Sequence, residues 1–242
     1  MHDMSLVMVM PTYNEAGNIV HMLESILDVY REKGLRGWIL VVDDGSPDGT
    51  GRIVEGYAQD HREVILLERG RKLGLGSAYI DGFRYVISEM DVDAVGTIDA
   101  DGSHPPQTIP SMVEALKAGA DVVVASRYVK GGRWGTSLRR QIVSRGANIL
   151  ARLATGSKVR DMTSGLRLYR AEALKTIRLE GLEKGYVFQV AILYELLRRG
   201  FKAVEVPFTF KPRLGGSSKL GLAEYNAFLG WCLKTLYRRI VV

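Results

Sequence analysis

Short apolar runs alternating with segments of helical periodicity set the plan of this chain. Leu6-Val7-Met8-Val9-Met10, Trp38-Ile39-Leu40-Val41-Val42, residues 64–67, Ala94-Val95-Gly96-Thr97-Ile98 and residues 122–125 are brief and nearly free of polar positions, as expected of strands covered on both faces. Between them Ile19, Leu23, Ile26, Leu27 and Tyr30 recur at helical spacing up to Gly34, a C-terminal stop. Further helices are predicted over 51–58, around Ala78, Phe83, Val86 and Ile87, and around Ile109, Met112, Val113 and Leu116. Such alternation predicts an α/β fold with a mostly parallel sheet and right-handed crossovers.

The second half continues with less regular spacing. A helix is predicted over 138–153, with Arg139, Arg140, Ser144 and Arg145 on its first turns, a short strand over 166–169, and a helix over 186–197 that is apolar almost all round. Pro207 inside the strand 203–208 argues for a sheet edge. Gly131-Gly132-Arg133-Trp134-Gly135 is expected to be a mobile loop that closes over a substrate. The segment 211–219 reads as a flexible basic loop. From Leu222 an amphipathic helix carries Tyr225, Phe228, Leu229, Leu233, Leu236 and Tyr237 on one side, with Lys234, Arg238 and Arg239 near its end. Two readings stay open for it: a helix lying in a membrane interface, or one docked on the core. Ile240-Val241-Val242 could open a membrane span.

Charge divides the chain where composition alone would not. The net charge is +6, yet residues 1–120 hold 10 Lys/Arg against 19 Asp/Glu and residues 121–242 hold 23 against 8. An acidic half suits a cation, and a basic half suits phosphates or an anionic membrane surface. Nucleic acid is not expected as a partner, because no zinc-finger spacing, RRM-type aromatic motif or helix-turn-helix accompanies the charge. A single cysteine, Cys232, and four histidines exclude a disulfide framework and a Cys/His zinc site, so a reducing compartment is expected and any catalytic metal must sit on carboxylates. No stretch reaches the ~18 apolar residues of a membrane span.

Asp99-Ala100-Asp101 ends a predicted buried strand, where α/β sheets bind ligands. Two carboxylates around a small residue can hold a hard cation and leave positions for substrate phosphates; alone they could equally cap a strand-end turn. Gly74 and Gly76 permit close approach of backbone to a ligand or form a turn, and the loop lacks the dinucleotide fingerprint because Tyr79 replaces its third glycine. His104, before Pro105, reads as loop-shaping, and Asp161 as a cap for Thr163-Ser164 or an orienting partner for an arginine.

Six motifs taken in order carry a resemblance: Pro11-Thr12-Tyr13-Asn14-Glu15, Val42-Asp43-Asp44-Gly45-Ser46-Pro47-Asp48-Gly49-Thr50, Asp99-Ala100-Asp101, Ser126-Arg127-Tyr128, Thr163-Ser164-Gly165 and Gly216-Ser217-Ser218-Lys219-Leu220-Gly221. From about Val7 to Gly221 the chain resembles the polyprenyl-phosphate mannose synthases, a branch of the family 2 glycosyltransferases with the GT-A fold. The resemblance implies one GT-A domain over 1–221, with a nucleotide-sugar half over 1–120, an acceptor half over 121–221, and the amphipathic helix over 222–242 outside it. It implies GDP-mannose as donor and a polyprenyl or dolichyl phosphate as acceptor, with Mg2+ or Mn2+ as cofactor. Pro11, Tyr13, Glu15, Asp43 and Asp44 would line the nucleotide pocket with Asp99, Ala100 and Asp101. Asp99 and Asp101 would hold the metal and act in catalysis. Ser103 stands where some members carry a metal-touching Gln, which leaves metal preference open. Arg127, Arg140, Ser144, Arg213 and Lys219 would hold the acceptor phosphate, Arg127 also being a catalytic candidate; Arg152, Arg198 and Arg199 read as solvated helix residues. Peripheral attachment at the cytoplasmic face of a membrane follows, with a membrane-anchoring partner subunit left open.

Competing readings are a UDP-glucose-dependent transfer to polyprenyl phosphate, a nucleotide-sugar-binding module without catalysis, and a membrane-surface or nucleic-acid-binding protein using the basic half.

Overall fold

An apolar run without polar breaks can bury side chains on both sheet faces at once, and these runs do so. A computed structural model describes residues 4–215 and 221–241. Its main sheet has seven strands: β1 (Ser5–Thr12), β2 (Arg36–Asp43), β3 (Val64–Glu68), β4 (Ala94–Thr97), β5 (Val122–Ser126), β7 (Arg167–Arg170) and β8 (Ala203–Pro207). The order is β3-β2-β1-β4-β7-β5-β8. All neighbours are parallel except β7, which runs antiparallel between β4 and β5. β8 lies at the edge and ends on Pro207, as a proline demands.

Alternation along the runs sorts side chains into two cores. Val7, Val9, Leu40, Val42, Val122 and Val124 face α3 (Leu75–Glu89) and α7 (Phe188–Arg198). Leu6, Met8, Met10, Ile39, Val41 and Val123 face α1 (Ile19–Lys33), α2 (Thr50–Asp60) and α4 (Ile109–Lys117). All are fully buried, each contributing roughly 1.5–3 kcal/mol relative to an exposed position. Register then decides where the site can be: Thr12 lies beside Asp43 and Val9 beside Thr97, so β1, β2 and β4 deliver their C-terminal ends to one rim.

The expected lid over 131–135 is instead tied down. Arg133–Trp134 forms β6, which pairs in parallel with β9 (Thr209–Phe210). Arg133 N–H donates to Phe208 O at 3.0 Å and Gly135 N–H to Phe210 O at 2.7 Å. The glycines supply the turn: a Cβ on Gly132 would meet Ser126 O at 2.6 Å.

α5 (Leu138–Thr155) and the short α6 (Ala171–Lys175) complete the second half before α8 (Leu222–Val241). Both readings of α8 are met in part. It docks through buried Cys232 and Thr235, and Arg239 Nη1 donates to Leu153 O at 2.8 Å. Phe228 turns toward the body, while Tyr225, Leu229, Leu233 and Tyr237 stay exposed.

Gly76 admits backbone and not a ligand. A Cβ there would lie 2.6 Å from Lys184 C and O, and Ser77 N–H donates to Lys184 O at 3.0 Å. Helix propensity favours alanine by roughly 1 kcal/mol, but forced backbone movement costs about 1–3 kcal/mol. Gly76→Ala is therefore expected to lower the urea unfolding midpoint with an unchanged slope; a raised midpoint contradicts the close approach.

Candidate functional site

Side-chain bonds at the rim first stitch the loops after β1 and β2 together. Asn14 N–H donates to Ser46 Oγ at 3.0 Å, Glu15 N–H to Thr50 Oγ1 at 2.9 Å and Ala16 N–H to Asp48 Oδ2 at 3.0 Å. Asp43 has no free carboxylate: it accepts from Thr12 Oγ1, Ser46 Oγ and Ser46 N–H at 2.6–2.8 Å. Asp44 is likewise committed. Arg69 Nε and the Leu73 and Gly74 amides donate to it at 2.7, 3.0 and 3.0 Å, with Arg69 Nη2 also on Oδ1. Both carboxylates are therefore taken up in holding the loops after β1, β2 and β3 together. Ala100 is buried in the core facing α1 and α4, so only its backbone can reach a ligand. Pro11, Tyr13 and Glu15 are partly buried; Lys72 Nζ stands 4.3 Å over the Tyr13 ring, and Glu15 accepts from Asn18 Nδ2 at 2.9 Å.

The acidic pair follows β4. Asp99 keeps 32% of its side chain exposed, while Asp101 is 5% exposed. Tyr79 O–H donates to Asp99 Oδ1 at 3.2 Å, and His104 Nδ1 lies 3.5 Å from Asp99 Oδ2. Burial raises the Asp99 pKa above the usual carboxylate value, and the charge of Asp101 adds to this against the opposing pull of His104 and Arg213. A divalent cation would relieve that cost. Two carboxylates supply oxygen donors of the kind a hard cation takes; among the described residues no group of three or more His, Cys, Asp or Glu gathers for a metal. Ser103 is buried, its N–H donating to Asp101 Oδ1 at 2.9 Å.

Arg213 is not poised for an anion: its Nε lies 3.0 Å from Asp101 Oδ2. Leu214 N–H donates to Asp101 O and Lys211 N–H to Ser103 O, so this segment lies across the acidic loop. Lys219 lies outside the described residues.

A second cluster grows from β5. Asp161 grips Arg127 with Oδ2 on its N–H and Nε (2.9 and 2.7 Å) and Oδ1 on Nη2 (2.6 Å). The Arg127 side chain is 8% exposed, and its guanidinium stands 4.5 Å from the Trp134 ring centre. Burial alone would lower its pKa, but Asp161 raises it and holds the charge in place. Arg127 Nη2 also donates to Thr163 Oγ1 at 3.0 Å, Asn148 Nδ2 to the same oxygen at 2.9 Å, and Tyr128 O–H to Ser144 Oγ at 2.8 Å. Because Asn148 Nδ2 also donates to Ser144 O at 2.9 Å, Arg127 and Ser144 share one network. Arg140, one turn before Ser144 on α5, is exposed.

Three contributors were not visible beforehand. Arg69, Tyr186 and Arg167 carry no motif signal; a charge in a short apolar strand reads only as an interruption. Arg167 is fully buried and donates to Ser164 O at 2.9 Å, Met162 O at 2.6 Å and Gln189 O. It thereby fixes the loop that presents Asp161 and Thr163. Tyr186 feels the acidic pair: burial first, then Asp99 and Asp101, push its phenol up to about 12.

The sequence profile of Glycosyl transferase family 2 matches residues 7–178. Among curated proteins, an undecaprenyl-phosphate mannosyltransferase of Micrococcus luteus is 41% identical over 221 residues, 90% of this chain and 88% of that one. A polyprenol monophosphomannose synthase of Mycolicibacterium smegmatis is 39% identical over 219 residues, 88% of this chain and 80% of that one. Among solved structures, glucosyl-3-phosphoglycerate synthase of Mycobacterium tuberculosis, crystallised with Mn2+, UDP and phosphoglyceric acid, superposes with a TM-score of 0.70 at 21% identity. That match covers 98% of this chain and 78% of that chain, and it shows a shared fold.

Two outcomes are expected. Asp161→Ala leaves a buried guanidinium without its counter-charge and is expected to cost about 3–5 kcal/mol in chemical denaturation; a loss under 1 kcal/mol would show that the pair is not holding the loop. Cation binding needs ionised Asp99, whose pKa is raised. Calorimetric Mn2+ affinity should therefore fall on acidification at a pH above the ordinary aspartate range, and a flat profile down to that range contradicts this.

Proposed function

Because the chain belongs to glycosyl transferase family 2, we propose that it transfers mannose from GDP-mannose to a polyprenyl or dolichyl monophosphate, with Mg2+ or Mn2+ and inversion at the anomeric carbon, releasing GDP. One observation carries this reading: the acidic pair and the Arg127–Ser144 network stand on the same sheet, at the ends of β4 and β5 with only β7 between them. Both curated relatives are named for mannosyl transfer to a polyprenyl phosphate, and the six motifs support the same donor and acceptor.

Transfer puts negative charge on the leaving diphosphate while the anomeric carbon becomes cationic. A divalent cation on Asp99 and Asp101 supplies Lewis-acid stabilisation worth several kcal/mol. Tyr79 and His104 steady Asp99 for that task, and Tyr13 and Glu15 border the nucleotide side. The acceptor needs no general base, because a phosphomonoester with a second pKa near 6 is mostly dianionic at neutral pH. It needs fixed positive charge to approach another polyanion, which arginine's planar fork provides. Arg127, held rigid by Asp161, and Arg140 and Ser144 on α5 receive it. With a cation on Asp101, Arg213 would be freed for the acceptor, and the resemblance adds Lys219, which lies outside the described residues.

The acceptor is lipid-borne, and most exposed large apolar side chains stand on α5 and α8, among them Leu138 (69% exposed) and Tyr237 (66%). With Arg139 and Arg140 on α5, these apolar residues suit an anionic membrane surface at the cytoplasmic face. Among the described residues no helix is long and apolar enough to cross a membrane.

Incubation with radiolabelled GDP-mannose, Mn2+ and a short polyprenyl phosphate should yield extractable labelled lipid, whereas labelled UDP-glucose should not. If only UDP-glucose labels the lipid, the donor assignment fails. Asp101→Asn should lower turnover at least about a hundredfold, given roughly 3 kcal/mol from its metal contact.

A further inference from the structure

Away from the rim, the C-terminal halves of α7 and α8 enclose a cleft of about 830 Å3 with the 177–183 turn. That volume lies within the range of small-molecule sites. Six cations line it, Arg178, Arg198, Arg199, Lys234, Arg238 and Arg239, against two carboxylates, Glu183 and Glu195. Their commitments decide what the cleft can hold. Glu195 is shared by Arg198 and Arg199 at 3.3 and 2.7 Å. Arg239 caps the end of α5 through Leu153 O and Ala154 O. Lys234 and Arg238 have neither hydrogen bond nor ion pair among the described residues. Among the described residues Glu183 is thus the one lining acid left for Lys234 and Arg238 across a half-enclosed space, where low-dielectric walls strengthen the field, while Arg178 also feels Glu180 beside the cleft.

The floor is apolar. Tyr194 meets Trp231 edge-on at 6.0 Å, beside Ile177 and Leu182. The cleft is also distinct from the outward face of α8: Lys234 follows exposed Leu233, a step of about 100° round the helix. A cationic wall over an apolar floor suits an anion on a small organic body. We propose that the α7–α8 cleft is a phosphate-binding site separate from the catalytic rim, taking a phosphate ester free in solution or as the head group of an acidic lipid. Such a ligand bridges Arg178 to Lys234 and Arg238 and adds to the contacts that hold α8 on the body, made by Phe228, Trp231, Cys232, Thr235 and Arg239 and by Glu224, an acceptor for Tyr186 N–H at 3.0 Å.

Glycerol 3-phosphate and phosphatidylglycerol vesicles, each matched for ionic strength with sodium chloride, are titrated against the full chain by calorimetry and thermal unfolding. Glycerol 3-phosphate should raise the unfolding temperature of the parent protein and of Arg140→Gln, which weakens the rim. The pair Lys234→Gln/Arg238→Gln should lose at least about tenfold in affinity. The charge-preserving pair Lys234→Arg/Arg238→Lys should retain binding, which separates lost charge from a damaged fold. Cleft-dependent binding of both probes supports a general phosphate site; dependence for vesicles alone assigns the lipid head group as its source. The site is refuted if the Gln pair binds both probes like the parent, if Arg140→Gln abolishes the effect, or if sodium chloride alone reproduces it.

Discussion

Two charges withdrawn from water, Arg127 and Asp161, hold the second half of this protein to its sheet. Neither could be buried alone, since an unpaired ion in that setting costs several kcal/mol. Together they fix the end of β5 against the loop before β7, and Thr163 and Asn148 extend the grip to α5. Arg167 closes the back of the same loop by donating to the Ser164 and Met162 carbonyls. Pairing with a single carboxylate is what keeps Arg127 in place.

The acidic rim shows the opposite condition. Asp99 and Asp101 lie close in partial burial, which raises the pKa of Asp99. Arg213 compensates one of them through the segment that crosses the loop. One cluster is satisfied within the protein and the other is left in electrostatic tension. That asymmetry suits the proposed reaction, in which a cation and a diphosphate would gather at the acidic pair and a lipid phosphate beside Arg127.

The exposed apolar residues of α5 and α8 fit the same division of labour. Their stems meet the body through Cys232, Thr235 and Arg239, leaving Leu229, Leu233 and Tyr237 outside. Charges flanking those stripes favour an anionic surface, and α5 carries both part of this face and Ser144 of the acceptor network.

Much of this was legible in the chain itself. Continuous apolar runs and period-3.6 spacing marked the main strands, the helices and a mostly parallel sheet, because burial of an apolar run depends only on local spacing. The edge position of β8 followed from Pro207, and the site's polar residues were found by their place at strand ends. What tertiary structure alone decided was which of those residues are spoken for. Asp43 and Asp44 look as available as Asp99 in sequence, yet Thr12, Ser46 and Arg69 consume them. The glycine-rich 131–135 segment looked mobile, yet pairing with residues 209–210 holds it. Arg167 and Arg69 had no motif to mark them. Bonds such as Thr12–Asp43, Asp44–Arg69 and Gly135–Phe210, between residues 25 to 75 positions apart, leave no periodic trace, because their partners are set by which strands become neighbours and not by spacing along the chain.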